Sequence, residues 1–200
     1  MELVKMNLEI RKLTPDLLED YLHFFETDAH ADNKEEDRCY CVCWCREDHR
    51  VGTDFSSPEK RRDLATLYIN RGTLQGYLAY YEGKVVGWCN TNTKSDCLNC
   101  ISWLRFMTSV KTTPDIKVKS IYCFTITPTL KRKGIATALL ARVCKDAADE
   151  GFDIVEAYPN KEFINPFRDF MGPLEMYKRN GFIVQEEMEN IFVVRKPLKS

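Results

Sequence analysis

Three basic residues and a glycine, Lys131-Arg132-Lys133-Gly134, stand between an apolar run and a helical pattern, and they are the first residues with chemistry to offer. Ile121 to Ile126 is β-branched and aromatic and ends before Pro128, which predicts a buried strand. Ile135, Leu139, Leu140, Val143 and Ala147 recur at helical spacing, with Arg142, Lys145, Asp146 and Asp149 on the opposite side and Gly151 as the stop. A strand that enters a helix through a glycine turn leaves the first amides of that helix without partners. Those amides, the helix dipole and the basic side chains together favour an anion such as a phosphate or diphosphate. Neither GxxxxGK[ST] nor GxGxxG is present around Gly134, so nucleotide loops of those two kinds are excluded.

Ile126-x-Pro128 followed by Lys131-x-x-Gly134-x-Ala136 resembles motif A of the GNAT superfamily of acetyl-CoA-dependent N-acyltransferases, written [QR]-x-x-G-x-[GA]. Lys131 replaces the usual Gln or Arg and keeps the positive charge. Some forty residues on, Leu174 to Phe182 (LEMYKRNGF) resembles the later LYxxxGF segment of that family. The resemblance spans roughly residues 75 to 195 and implies a mixed, mainly antiparallel α/β (α+β) sheet flanked by helices, with a splayed parallel strand pair. It implies acetyl-CoA as co-substrate. The diphosphate would lie on amides from Lys131, Arg132, Lys133, Gly134, Ile135, Ala136 and Thr137, and the pantetheine arm along Phe124 and Ile126. Tyr177 would be the general acid for the departing thiolate; a phenol, of pKa about 10, is close enough to an alkyl thiol for that transfer. The Asn and Ala that usually precede this tyrosine by seven and four residues are Phe170 and Pro173 here, with Asn160 and Asn165 as candidate replacements.

No base declares itself: Glu26, Asp28, Glu156, His23, His30 and His49 are candidates for the start of a water relay. Nine cysteines include a CxCxCxC run from Cys39 to Cys45 and the pair Cys97 and Cys100. Spacing of one residue in an extended segment suits ordinary thiols better than a zinc knuckle, so no metal is expected. Cys89, Cys123 and Cys144 are expected to be buried.

Apolar residues make up 44% and charged residues 30% of 200, consistent with one folded domain over 1–200. A net charge of −1 argues against a partner held by bulk charge, such as nucleic acid or an anionic membrane. With no signal-like or membrane-length apolar run, the expected location is cytoplasmic. The acidic stretch Glu26–Asp37 is either a solvated loop or a lip selecting a cationic acceptor. The partner expected is a small amine; a homodimer is left open.

The elements that must position these residues follow from the remaining pattern. They are a strand over 3–13, a helix from Thr14-Pro15-Asp16, an extended piece over 39–51, and a helix from Ser57 to about Arg71 with Leu64, Leu67 and Tyr68 inward. A hairpin pairs residues 76–81 with 85–90. Residues 100–107 are a short helix or lid, with Trp88 and Asn90 facing either core or acceptor. Phe152–Tyr158 is a parallel neighbour of 121–126, followed by a helix over 173–180 and an antiparallel pair, 182–187 with 191–196. Two other functions fit the residues: an acyl-CoA-binding domain without turnover, and a cysteine-based metal or partner module.

Overall fold

The computed structural model describes residues 6–31, 34–162 and 169–198. Asn165 and the first residues of the expected opening strand lie outside these. Among the described residues seven strands form one sheet in the order β1-β2-β3-β4-β5-β7-β6. They are β1 (Glu9–Lys12), β2 (Gly76–Tyr81), β3 (Lys84–Thr93), β4 (Val118–Ile126), β5 (Ile154–Ala157), β6 (Ile183–Glu187) and β7 (Phe192–Pro197). Every pairing is antiparallel except β4 with β5, which is parallel. The chain between those two strands is the helix α4 (Ile135–Asp149), the crossover a parallel pair requires. The mixed, mainly antiparallel sheet is therefore the architecture expected from the sequence.

Each face of the sheet carries its own apolar cluster. On one face α1 (Leu18–Thr27), α2 (Pro58–Asn70), α3 (Ile101–Phe106) and the cysteine segment cover Leu78, Trp88, Tyr122 and Cys123. On the other, α4 and α5 (Leu174–Arg179) cover Tyr77, Cys89, Ile121 and Phe124. The α4 stripe of Ile135, Leu139, Leu140, Val143 and Ala147 is buried as its spacing predicts. Each large aliphatic residue removed from water there contributes about 1.5–3 kcal/mol before entropy is counted.

Three expectations need correction. Residues 39–51 are not extended: Tyr40 and Cys41 have left-handed backbone, φ 46° and 50°. Tertiary bonds hold that turn, with Tyr21 Oη donating to the Tyr40 carbonyl at 2.6 Å and Asn90 Nδ2 to the Trp44 carbonyl at 2.9 Å. Side-chain alternation carries no sign of such partners. Leu67 is 40% exposed, and Ala65, Tyr68 and Ile69 supply the buried face of α2. The first strand is four residues long, Glu9–Lys12, and forms the edge of the sheet, paired with β2 alone. Of the two placements open to Trp88, it takes the core, fully buried and edge-on against Tyr21 at 4.9 Å.

Candidate active site

β4 pairs with β3 along most of its length, but with β5 only from Val118↔Ile154 to Ile121↔Ala157. Past Ala157 the chain turns to the β6–β7 side: Phe192 N–H donates to the Pro159 carbonyl, and Asn160 bridges to Ile191. The β4 edge from Tyr122 to Ile126 thus borders a gap. Phe124 N–H points into it and Ile126 N–H, two residues on, points the same way.

Beyond Ile126 a single 3₁₀ turn, Pro128–Leu130, leads to the basic residues. Arg132 and Gly134 both have positive φ, 63° and 85°. Gly134 is the N-cap of α4, and no side chain caps the helix. Its carbonyl accepts from Ala138 N–H at 3.0 Å, which closes the first turn and leaves the earlier amides directed outward. Lys131, Arg132, Lys133 and Gly134 are exposed, and Ile135 is buried beneath them. The turn and the gap adjoin: Phe124, Ile126, Ile135, Ala136 and Tyr177 belong to one apolar cluster.

Tyr177 lies on the buried side of α5, its ring T-shaped against Phe182 at 5.2 Å. Its hydroxyl donates to the Met171 carbonyl at 2.6 Å. Burial, and then the thiols of Cys89, Cys123 and Cys144, push this phenol well above its ordinary value, so it holds its proton. Across β4, Cys123 faces Asn90 and Thr125 faces Trp88 in register. Asn90, missed as a positioning residue, ties the cysteine segment to this face.

The base candidates disperse. Glu156 is fully buried and accepts from Lys94 Nζ at 2.6 Å, Tyr158 Oη at 2.7 Å and Arg195 Nε at 2.6 Å. Its oxygens are occupied, and no spacing in the sequence announces that network. His49 Nδ1 accepts from Ile101 N–H at 2.9 Å, a structural bond, and burial lowers its pKa. Glu26 pairs with Arg62 at 2.8 Å, so the acidic stretch is partly neutralised where it meets α2. Asp20, His23 and Asp28 instead line a cleft of about 170 Å³ with Phe24, Gly83, Lys84 and Val85. That cleft lies at the start of β3, whose Gly87 pairs with Ile126. Asn160, a candidate replacement for the missing asparagine, donates through Nδ2 to Asp169 Oδ1 at 2.7 Å. All nine thiols are free, and among the described residues no group of three His, Cys, Asp or Glu is arranged to hold a metal ion. No helix among them is long and apolar enough to cross a membrane.

The acetyltransferase (GNAT) family profile matches residues 50–172, more than half of the chain. The protein belongs to the GNAT family. The match includes the β4–turn–α4 unit and ends five residues before Tyr177, which that comparison leaves untouched. The protein is an acyltransferase of this family, for which acetyl-CoA is the co-substrate. Comparison with curated protein sequences returns no match. Among solved structures, the PaiA N-acetyltransferase of Thermoplasma acidophilum in complex with coenzyme A is 15% identical, with TM-score 0.54, over 96% of this chain and 99% of that one. YncA of Salmonella typhimurium with its cofactor acetyl-CoA is 14% identical, with TM-score 0.52, over 96% and 94%. The ribosomal-protein-S18-alanine N-acetyltransferase of Escherichia coli is also 14% identical, with TM-score 0.52, over 96% and 95%. At such identities these likenesses establish the shared GNAT fold.

Proposed function

We propose that this GNAT protein, acting as a single domain, moves an acetyl group from acetyl-CoA directly to the amine of a small cationic molecule. One observation carries the reading: a stretch of β4 edge with no strand beside it runs into a helix N-terminus that no side chain caps, preceded by three cations. A thin polar arm ending in a diphosphate matches that sequence of features. The amides of the turn and of the first α4 residues would take the diphosphate, while the edge amides at Phe124 and Ile126 would take the arm's carbonyls.

The chemistry follows from what each group can supply. An edge N–H on the thioester carbonyl stabilises negative charge as the amine attacks. The tetrahedral intermediate then collapses with loss of the thiolate. Tyr177, kept protonated by burial, gives its proton to that sulfur and recovers one from solvent. The amine's own proton passes to water, in the absence of a free carboxylate on β4. A cationic acceptor is favoured by Asp20 and Asp28 in the cleft beside the start of β3.

The test is release of free thiol from acetyl-CoA across a panel of polyamines, aminoglycosides and lysine-like amines, with a control lacking acceptor. Acceptor-dependent release supports the proposal. Binding of coenzyme A without release on any amine would replace it with a non-catalytic acyl-CoA sensor.

A further inference from the structure

Two hydrogen bonds in the gap beside β4 end on neighbouring carbonyls of one short segment. Phe124 N–H donates to the Phe170 carbonyl at 2.6 Å, and Tyr177 Oη donates to the Met171 carbonyl at 2.6 Å. One is an edge amide and the other the acid that the proposed transfer needs. Residues 169–172 therefore hold both groups at once.

The segment is built to stay there. Met171 is 6% exposed, and Phe170 packs against the core of the opposite face. Gly172 N–H closes a turn on the Asp169 carbonyl at 3.3 Å. Asn160 Nδ2 tethers the Asp169 carboxylate at 2.7 Å from the far side of the gap. Gly172 has φ +79°, and a Cβ there would stand 2.9 Å from Met176 Cε and 3.4 Å from the Phe124 ring. The left-handed backbone is what favours glycine here, and the Met176 methyl would have to shift for a larger residue. Phe170 stands where the sequence resemblance leads one to expect an asparagine side chain, and here it is the backbone carbonyl that does the binding.

The two successive carbonyls of this turn engage the same two donors, an edge amide of β4 and the Tyr177 hydroxyl, that the proposed transfer assigns to the thioester carbonyl and to the departing sulfur. We propose that Asp169–Gly172 is an internal occupant of the acyl slot, a self-inhibitory contact that acetyl-CoA must displace before transfer. This rests on the reading of the slot as the acetyl-CoA site. Displacement exchanges two internal hydrogen bonds for two from the ligand, so the exchange is nearly balanced. Apparent affinity is then lowered by the fraction of molecules in which the slot is vacant.

The experiment is coenzyme A binding by calorimetry, with amide hydrogen exchange on the full chain. Coenzyme A should slow exchange at residues 134–137 and speed it at Gly172. Asp169→Ala, which removes the tether, should bind coenzyme A about fivefold more tightly, the equivalent of one hydrogen bond. Asp169→Asn, which keeps an acceptor oxygen, should restore the wild-type affinity. The proposal is overturned if residues 134–137 are protected while Gly172 exchange stays unchanged or slows, whatever the variants do. It is also overturned if Asp169→Ala binds no tighter than wild type. No binding and no protection at 134–137 would instead sink the acetyl-CoA reading, and the internal occupant with it.

Discussion

Gly134 and Gly151 sit at opposite ends of α4 and make a matched pair for testing the diphosphate site. Both have positive φ, 85° and 75°, and an added Cβ at either would meet nothing within 4 Å. Replacing either with alanine therefore costs only backbone strain, about 1–2 kcal/mol for an L-residue held in left-handed conformation. For a chain of this size that is a drop in Tm of roughly 2–8 °C, and it should be similar for the two variants. Ligand binding should separate them. At Gly134 the new methyl projects where the diphosphate is proposed to approach the helix amides. Losing one charge-assisted hydrogen bond there, about 1.5–3 kcal/mol, weakens coenzyme A binding about 10- to 100-fold. Gly151→Ala should bind like wild type. Thermal melts and calorimetric titration of both variants are the assay. Equal affinity in the two, with equal loss of stability, would refute the assignment of Gly134 to the ligand.

Other consequences are open to the same kind of measurement. Tyr177→Phe loses the bond to Met171, about 1 kcal/mol of stability by denaturant titration, and should lower kcat for thiol release by at least tenfold; an unchanged kcat removes it as the acid. Glu156→Gln leaves Lys94 and Arg195, whose side chains are 5% and 16% exposed, without their counter-charge. That costs about 3–5 kcal/mol and lowers Tm by roughly 10 °C, while turnover per folded molecule is retained; selective loss of turnover would make Glu156 part of the chemistry. Stability should also show a plateau in pH. Burial lifts the Cys43 and Cys144 thiols to about 11 and raises the phenols of Tyr21, Tyr122, Tyr158 and Tyr177. The unfolded chain therefore loses these protons first, and stability falls as pH climbs past about 9 and faster past about 10. Burial lowers the His49 pKa, so the unfolded chain takes up that proton first and stability also falls below about pH 6.5. A denaturation midpoint that is flat from pH 6 to 11 would contradict both limbs.

The sequence reveals most where local pattern and global fold agree. The β4 apolar run, the helical stripe of α4, its glycine cap and its glycine stop all act through spacing, and the structure follows them to within three residues. The two-residue turn at Glu82-Gly83, φ 50° and 77°, is of the same kind. Residues 39–51 are opaque because distant side chains, Tyr21 and Asn90, decide their backbone. Glu156 looked like one more candidate base because its three partners come from Lys94, Tyr158 and Arg195, on three separate segments. Within the candidate site, the basic turn and Tyr177 were legible as residue types at set spacings. The Phe170 and Met171 carbonyls were not, since every residue carries a carbonyl and only the fold aims it.

The central claim is that the start of α4 grips the diphosphate of acetyl-CoA. A crystal structure with coenzyme A tests it most directly. The claim predicts diphosphate oxygens within hydrogen-bond distance, roughly 2.7–3.2 Å, of amide nitrogens in residues 134–137. A diphosphate bound anywhere else on the protein, with those amides facing only water, would contradict it.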